Sequence, residues 1–457
     1  MKTTKKTQSV FILISFIATL FFLNACTAGP DYDNDLAFLG VPESELDRVL
    51  YVKDIADITG NGLSWASAYG KTQLQKAINE ANSAYRSSGN PWYVVVQYGT
   101  YIPNGKANAI SGTTTNRHYH FSMRNGVTII VGYKGDEVDG IPTDTVATIL
   151  SGDLGASVRA YHVFYHPDSM SPQLNSLAVL KNITISDGNA NASGHFQYGG
   201  GMFNENNSPS IAYCTFKNNN AIHGGGISCE ENSRPIITNC NFIGNTASNG
   251  GGGKFDGKGP TGSYMTMTNC FFSGNKATHD GGGVCFVRIY IELRNCTFIE
   301  NVAGDRGGGL YNYSNPIRIY NCTFTANKAD GRGGGGICNV DNGHTGNVNG
   351  SIILSNNASN NPNIYAPQCN FNYNLKNNEN INDVFSTINA GKAVLTEQNK
   401  TKFAKIKSGG LAHNKIESEK MSTWHGGNIY TVLDQRGQPR LYGTHGDIGA
   451  IELQSGE

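Results

Sequence analysis

The stretch Cys296-Thr-Phe-Ile-Glu-Asn-Val-Ala-Gly-Asp-Arg-Gly-Gly-Gly-Leu310 decides the fold, because its pattern occurs five times along the chain. A cysteine is followed by a phenylalanine two residues later, an asparagine three residues after that, an alanine two further on, and then a run of glycines. The intervals between the cysteines are 26, 30, 26 and 26 residues. A fixed period of this length predicts a stacked repeat architecture. The cysteines that open the units are Cys214, Cys240, Cys270, Cys296 and Cys322.

The repeat is shorter than a propeller blade of about 40–45 residues, and it lacks the 3.6-residue periodicity of helical repeats. One unit contains three strand-like runs, at 291–293, 296–299 and 309–311. Three short strands closed by tight bends form one coil, and each coil pairs with the next at about 4.8 Å. Parallel crossovers are right-handed. The sequence therefore predicts an all-β chain that winds as a right-handed single-stranded parallel β-helix.

Side-chain parity assigns the columns of this solenoid. Cys296 and Phe298 are two residues apart and share a face, so both columns are predicted to point inward. The phenylalanines then form a core rather than a sugar-binding strip. Stacked cysteines about 4.8 Å apart exceed the Cβ separation of a disulfide, about 3.5–4.5 Å, so we expect buried free thiols. Asn295 lies where the alternation breaks, which predicts a left-handed bend there. Its counterparts are Asn239, Asn269 and Asn321.

The N-terminus has the pattern of an export signal. Basic residues precede an apolar run over 9–23, which is too short for a membrane-spanning helix of about 20 residues. The ending Leu23-Asn-Ala-Cys26 resembles the lipobox of bacterial lipoproteins. That resemblance implies a signal peptide over 1–25 and lipidation of Cys26. The acidic stretch 27–35, within a predicted flexible tether over 26–50, resembles the signal that sends some Bacteroidetes lipoproteins to the outer face of the outer membrane.

The segments that flank the repeats are predicted to close the ends of the stack. Residues 51–91 contain an amphipathic helical pattern, and stacked repeats need caps to cover their end faces. The β-helix is predicted over 92–360, with earlier irregular coils before the regular units. Residues 361–457 are predicted to form an irregular C-terminal cap or flanking region. The apolar positions of the helical pattern are Leu74, Ala77, Ile78 and Ala81.

The repeats resemble those of chlamydial-type polymorphic outer membrane proteins. The likeness lies in the Gly-Gly-Gly-apolar motifs, as at 281–284 and 307–310, and in the Phe-x-x-Asn motifs that begin at Phe216. This sequence departs from that pattern by having glycine where the family often has alanine. The tail over 434–452 is similar to that of bacterial β-helix surface proteins. The resemblance implies a surface-exposed β-helix with a pectate-lyase-like fold, an architecture that hosts adhesins, antigens, lyases and structural stalks.

One set of side chains is predicted to point outward beside the glycine runs. Phe203, Phe255 and Tyr311 follow a residue that is predicted to point inward, so alternation places them on the outer face. Outward aromatic rings can stack on sugars or contact a partner protein, although scattered exposed aromatics are also ordinary. Lys254 and Asp256, which flank Phe255, are predicted as further ligand contacts.

Catalysis on this fold would need more than the repeats provide. A polysaccharide lyase needs a carboxylate cluster and a basic residue that abstracts a proton. Asp280, Asp305 and Asp330 lie three, two and one residues after their alanines, so they drift along the turn and predict no calcium cage. The basic candidates near the glycine turns are Lys254, Arg306 and Arg332, and Asp256 is a further acidic candidate. Metal or phosphate-binding motifs are not found, and no catalytic residue, metal or cofactor is predicted.

The charge balance narrows the class of partner. Lys and Arg total 35, equal to Asp and Glu at 35, which predicts no basic face for nucleic acid. The resemblances of the lipobox and of the repeats, together with the missing catalytic cluster, imply a lipid-anchored outer-membrane protein, exposed at the cell surface, that acts as a non-catalytic adhesin, antigen or glycan-contacting module. Its predicted partners are the membrane, through the lipid, and a host or matrix glycan or protein. A polysaccharide lyase or glycoside hydrolase, and a structural envelope component, remain alternatives.

Overall fold

The protein, seen in a computed structural model, is built from four parallel sheets that run along the stack of coils. The structure describes residues 40–55, 60–110, 115–136, 148–258, 264–340, 345–372 and 374, together with the backbone of short strands up to Gly446. The predicted export segment, Cys26 and most of the predicted C-terminal region lie outside the described residues.

The first and third sheets are the longest, with eleven and ten strands. The first sheet consists of Val49–Val52, Trp92–Gln97, Val127–Tyr133, Ala178–Lys181, Ser210–Ala212, Ile236–Thr238, Met265–Thr268, Ile291–Arg294, Ile317–Tyr320, Gly346–Asn349 and Cys369–Asn372. The third consists of Thr100–Tyr101, Ile149–Ser151, Thr184–Ser186, Thr215–Lys217, Asn241–Ile243, Phe271–Ser273, Thr297–Ile299, Thr323–Thr325, Ile352–Leu354 and Leu375–Lys376.

The second and fourth sheets have eight and seven strands. The second sheet consists of Phe164–His166, Met202–Glu205, Ile227–Glu231, Gly253–Gly257, Val284–Val287, Leu310–Tyr313, Ile337–Val340 and Ile364–Tyr365. The fourth consists of Asn189–Ala190, Asn220–Ala221, Thr246–Ala247, Lys276–Ala277, Val302–Ala303, Lys328–Ala329 and Asn357–Ala358.

Each regular coil visits the sheets in the order first, third, fourth, second. One coil contains Ile291–Arg294, Thr297–Ile299, Val302–Ala303 and Leu310–Tyr313. Each of these strands pairs in parallel with its counterpart one coil later. The predicted parallel β-helix is confirmed, but the prediction of three strands per coil is wrong. The fourth strand has only two residues, too few for an alternating pattern to reveal.

The inward columns fill the core as the parity of the repeat predicts. Neighbouring rings of the phenylalanine column stack nearly face to face, with centroids 4.5 to 4.9 Å apart and planes within 4°. The five repeat cysteines lie beside this stack as buried free thiols. The phenylalanines are Phe216, Phe242, Phe272, Phe298 and Phe324.

Asparagine forms two columns along the stack, one at the bends and one within the core. Asn239, Asn269, Asn295 and Asn321 take φ angles of 53° to 55°, which confirms the left-handed bends that the sequence predicts. The asparagine that closes each unit forms a second, fully buried column. There, the Nδ2 of one residue donates to the Oδ1 of the next at 2.8 to 3.1 Å. This asparagine ladder runs through Asn219, Asn245, Asn275, Asn301, Asn327 and Asn356.

The glycine runs let consecutive coils approach each other. Gly307 has a φ of 66°, a backbone conformation that residues with a Cβ rarely adopt. A Cβ on Gly308 would lie 2.3 Å from the carbonyl oxygen of Lys328 and 2.4 Å from that of Gly335. The second glycine of the run is therefore fixed by backbone contact with the next coil rather than by turn geometry.

Among the residues that the structure describes, one α-helix is present, α1 (Leu74–Ser88), and it packs against the first three strands of the first sheet. Its buried residues are the four that the sequence predicts, and Gly89 ends it with a φ of 77°. Short 3-10 helices span Glu43–Arg48, Lys71–Gln73, Asn116–His118 and Gly194–Gln197. Within the described ranges, no helix is long and apolar enough to cross a membrane.

The parallel sheets extend beyond the range 92–360 at both ends. Val49–Val52 pairs with Trp92–Gln97, and Cys369–Asn372 pairs with Gly346–Asn349. Part of the predicted tether over 26–50 is thus ordered as a 3-10 helix and the start of a strand. Later strands are short and antiparallel, and they span Ile388–Asn389, Lys392–Ala393, Leu395–Gln398, Thr401–Ala404, Ile416–Glu417, Leu441–Tyr442 and His445–Gly446.

Candidate functional site

Most of the predicted contact residues lie on the outer side of the second sheet, which we call the second-sheet face. Phe203 pairs with Ser228, Ser228 with Lys254, Lys254 with Cys285 and Cys285 with Tyr311. The sequence thus places Phe203 and Tyr311 on the correct side of the sheet, whereas Lys254 occupies the position that the sequence assigns to Phe255. These side chains form one column along the stack.

Phe255 is a correction. The sequence predicts it on the outer face, but the structure buries it completely in the core. Residues 250–253 form a run of four glycines, and Gly253 pairs with Ile227 and Val284. The fourth glycine takes the inward position, which moves the outward position to Lys254. Phe255 therefore cannot contact a ligand in this fold.

The second-sheet face is covered rather than open. Phe203 is 1% exposed and Tyr311 is 5% exposed, although both point away from the core. Side chains from the turns before the glycine runs lie over them. The ring of Tyr198 stacks on Phe203 with centroids 5.8 Å apart, and the guanidinium of Arg306 lies 4.5 Å from the centre of the Tyr311 ring. The predicted exposed aromatic strip does not occur at these two positions.

Lys254 is the centre of a charge cluster on this face. Its Nζ donates to both carboxylate oxygens of Glu230 at 3.2 Å and to Oδ2 of Asp256 at 3.0 Å. Ser228 Oγ donates to Glu230 at 2.6 Å, and Arg288 Nη2 donates to Asp256 Oδ1 at 2.7 Å. The predicted contacts Lys254 and Asp256 are therefore engaged with each other and with two residues that the sequence did not single out.

The electrostatics of this cluster disfavour proton abstraction by Lys254. Burial alone lowers the pKa of Lys254, but the carboxylates of Glu230 and Asp256 outweigh burial, and the net pKa is raised. Burial also raises the pKa of Glu230. A general base should have a pKa near the working pH. A lysine held in the ammonium form by two carboxylates acts instead as a structural cation.

Replacement of Lys254 by glutamine should destabilise the protein by about 2–4 kcal/mol at pH 8, because two largely buried carboxylates lose their cation. The raised pKa of Glu230 gives stability that is present at low pH and is lost as the pH rises through that pKa. Without Lys254, the pKa of Glu230 in the folded protein rises further. The variant therefore loses more stability than the wild type does as the pH rises. The loss should therefore shrink towards pH 4, as measured by urea unfolding at both pH values.

The matched control is Lys258→Gln, since Lys258 is exposed and its ion pair among the described residues is with Glu231. We expect a change within about 0.5 kcal/mol for this exposed pair. An equal loss for Lys254→Gln at both pH values would contradict the charge-cluster account.

The charged residues near the glycine turns form ion pairs, both between neighbouring coils and within one coil. Arg306 Nη2 lies 2.6 Å from Asp280 Oδ2, and Arg332 forms an ion pair with Asp305. Asp330 pairs with Lys328 of its own coil, at 2.5 Å. Within the described residues, no group of three or more His, Cys, Asp or Glu side chains could hold a metal ion. Each acid of this set thus neutralises a neighbouring cation.

A chain of polar groups lies at the N-terminal end of the second-sheet face. Tyr165 Oη and His195 Nδ1 are 3.0 Å apart, and His195 Nε2 lies 3.5 Å from Glu205. Burial raises the pKa of Tyr165, so its phenol stays protonated at neutral pH. Burial lowers the pKa of His162 and of His166 to about 3, so both are neutral. These histidines are therefore buried packing residues.

The outer side of the first sheet presents an aromatic and charged surface that the sequence did not reveal. The rings of Tyr264 and Tyr290 are 5.3 Å apart, and the guanidinium of Arg318 lies 4.0 Å from the centre of the Tyr264 ring. Arg294 lies 5.2 Å from the Tyr320 ring in the same way. We call this set the first-sheet patch, which comprises Tyr264, Tyr290, Glu292, Arg294, Arg318 and Tyr320.

Glu292 links the two arginines of the first-sheet patch. It accepts from Arg294 Nε at 2.7 Å and lies 3.6 Å from Arg318 Nη1. Tyr264 and Tyr290 are half-buried, so each leaves part of its ring open to solvent. Fixed tyrosine and arginine side chains are the residue types that dominate binding surfaces. The patch begins at Tyr264, directly after the extra residues around 257–262 that lengthen the interval between Cys240 and Cys270, so an insertion in the sequence marks its position.

The stacked coils define a parallel β-helix of the glycine-rich, asparagine-laddered kind. Within it, residues 269–287 match the Chlamydia polymorphic membrane protein repeat. That segment is one unit of the repeat array, from the bend asparagine to the end of the second-sheet strand.

Comparison with other known proteins adds little on activity. None of the curated proteins matches the chain significantly. The solved structure of pectate lyase Pel9A is similar over 89% of this chain and 96% of that chain, with a TM-score of 0.45 and 12% identity. A likeness at this level carries no argument about activity.

Proposed function

We propose that this protein is a lipid-anchored outer-membrane protein at the cell surface, whose β-helix is a non-catalytic adhesin that contacts glycans. The first-sheet patch is the observation that carries the contact proposal. Half-exposed tyrosine rings can stack on sugar rings, and arginines beside them can donate to hydroxyl or carboxylate groups. Glu292, Arg294, Arg318 and Tyr320 lie on paired strands. Tyr264 and Tyr290 directly precede two such strands, and the backbone N–H of Met265 donates to the carbonyl oxygen of Tyr290 at 2.8 Å. The side chains of the patch therefore need little ordering when a ligand binds.

Two further observations support the cellular setting. The segment 269–287 matches a repeat named for polymorphic membrane proteins, which favours display on an outer membrane. The ending Leu23-Asn-Ala-Cys26 favours anchoring through a lipid on Cys26. The partners in this proposal are the membrane, through that lipid, and a host or matrix glycan or protein.

The polysaccharide lyase alternative is less well supported by the second-sheet face. Lys254, Arg306 and Arg332 each pair with at least one carboxylate, which keeps them charged and engaged. A basic residue that removes a proton must instead be available to the substrate in its neutral form. A lyase centre on this chain would therefore have to use residues other than these three.

Replacement of Tyr290 by alanine tests the contact proposal. Wild-type protein should be retained on at least one of a panel of immobilised uronate-containing and neutral polysaccharides. Y290A should weaken that retention at least about tenfold, because removal of a hot-spot aromatic residue costs about 2 kcal/mol or more of binding energy and about 1.4 kcal/mol corresponds to tenfold. The measurement is a binding isotherm on each polysaccharide.

Tyr313→Ala is the matched control, because Tyr313 is an exposed tyrosine on the second-sheet face. It should bind as the wild type does. Equal weakening by both variants, or retention unaffected by Y290A, would remove the first-sheet patch from the proposal.

A further inference from the structure

A cleft of about 330 Å³ lies at the N-terminal end of the stack, between α1 and the loops that follow the first coils. This size falls in the range of small-ligand sites, about 300–1,000 Å³. Two arginines line it, Arg86 from α1 and Arg124 from the loop before Val127–Tyr133. The cleft is also lined by the polar residues Asn82, Asn108, Asn125 and Ser169.

Arg124 is half-buried and surrounded by neutral acceptors. Its Nη1 donates to Ser122 Oγ and to the carbonyl oxygen of Met123, and its Nη2 donates to the carbonyl oxygen of Ala107 at 2.9 Å. Within the described part of the chain, neither Arg124 nor Arg86 forms an ion pair. Cations that are withdrawn from water are normally paired with an anion, because desolvation without a partner is costly.

The groups nearest to Arg124 do not compensate its charge. His166 Nδ1 and Asn204 Oδ1 are 2.7 Å apart, and His166 Nε2 accepts from the backbone N–H of Met123. His120 Nε2 accepts from the backbone N–H of Asn108. Burial, with a smaller contribution from Arg124, lowers the pKa of both histidines. They are neutral at physiological pH, and the local charge stays positive.

None of the described residues that line the cleft carries a carboxylate. Asp168 lies next to the rim residue Ser169, but its Oδ1 already accepts from Gln173 and from Asn206. The cleft therefore combines two arginines, several amides and no acid.

The walls of the cleft are held in place before any ligand arrives. Asn108 Nδ2 donates to Ser122 Oγ at 3.0 Å and to the carbonyl oxygen of Tyr165. Asn82 Nδ2 donates to the carbonyl oxygen of Asn125 at 2.7 Å, which ties α1 to the floor. A fixed site loses little conformational freedom on binding.

We propose that this cleft, the Arg124 cleft, binds the oxyanion group of a small molecule, either a carboxylate or a tetrahedral sulfate or phosphate. A guanidinium matches the geometry of such groups and can donate two parallel hydrogen bonds to them. The cleft is separate from the first-sheet patch, and this proposal does not depend on glycan contact there.

Calorimetric titration of the full chain with three probes tests the proposal. The probes are sodium sulfate, inorganic phosphate and sodium glucuronate, at constant ionic strength set with chloride. At least one should bind with a Kd below about 10 mM. The probe with the lowest Kd shows whether the cleft prefers a planar carboxylate or a tetrahedral sulfate or phosphate. Failure of all three to bind overturns the proposal.

Substitutions locate the binding. Arg124→Gln should weaken it at least tenfold, and Arg159→Gln, an exposed arginine outside the cleft, should leave it unchanged. Arg124 also supports its neighbours, so a second pair of variants guards against misfolding. Ser169→Asp places a carboxylate on the exposed rim and should weaken binding at least tenfold, whereas Ser169→Asn should not. Equal binding by the two Ser169 variants overturns the assignment.

Discussion

Replacement of Asn301 by alanine should destabilise the β-helix by about 3–5 kcal/mol, because several buried groups lose their partners at once. Asn301 Oδ1 accepts from the backbone N–H of Asn275 at 3.1 Å and from its Nδ2 at 2.9 Å. Asn301 Nδ2 donates to the carbonyl oxygen of Phe272 and to Asn327 Oδ1, both at 2.9 Å. Each orphaned buried group costs about 1–3 kcal/mol, and water cannot reach a column that is fully buried.

Calorimetry and amide hydrogen exchange measure this loss. Because stacked repeats can unfold locally, protection should fall first in the coils on either side of Asn301. The exposed Asn360→Ala is the control, with an expected change within about 0.5 kcal/mol. Equal melting temperatures for N301A and N360A would mean that the ladder is not a source of stability.

Replacement of Cys26 by alanine should move almost all of the protein from the membrane fraction to the soluble fraction. Each buried CH₂ of an acyl chain contributes about 0.8 kcal/mol to membrane binding, so removal of the lipid removes the anchor. Cell fractionation and protease shaving of intact cells measure the change. Wild-type protein should be cleaved on intact cells.

Cys369→Ala is the control for thiol loss, because Cys369 is a half-buried cysteine in the last described strand of the first sheet. It should remain with the membrane. Unchanged membrane retention of the Cys26 variant would refute lipidation as the anchor, and resistance of the wild type to shaving would refute surface display.

The regular part of the fold could be predicted because the residues that recur in each repeat are the ones that pack in the core or form the bends. Cys296 and Phe298 share a face through simple alternation, and Asn295 marks the bend with a φ of 53°. The helix residues Leu74, Ala77, Ile78 and Ala81 follow a 3.6-residue pattern and are all buried. These features depend on neighbours in sequence, which is why local reasoning finds them.

The errors have local physical reasons. The fourth strand, as at Val302–Ala303, is too short to show alternation. The last glycine of the run 250–253 takes the inward position that Ile227 and Val284 take in the neighbouring coils, so Phe255, two residues later, also points inward. The covering of Tyr311 by Arg306 depends on a turn side chain folding back over the sheet, which parity does not describe.

The first-sheet patch and the Arg124 cleft both bring together residues that are far apart in the chain. Tyr264 and Arg318 lie two coils apart in the sequence, and they come into contact because the coils stack on one another. Arg124 lines a cleft with Arg86, which comes from the cap helix. Neither juxtaposition follows from spacing alone, since both depend on how coils and cap are stacked. The extra residues before Tyr264, within the 30-residue interval from Cys240 to Cys270, are the one sequence signal near the first-sheet patch.

The central claim is that the β-helix binds a glycan and does not cleave it. The direct measurement incubates wild-type protein with the polysaccharide panel and records both retention and the release of unsaturated uronate products. The account predicts saturable retention on at least one polysaccharide, with no unsaturated product above a heat-denatured sample. Release of unsaturated products by the wild type would contradict it and would favour the lyase alternative.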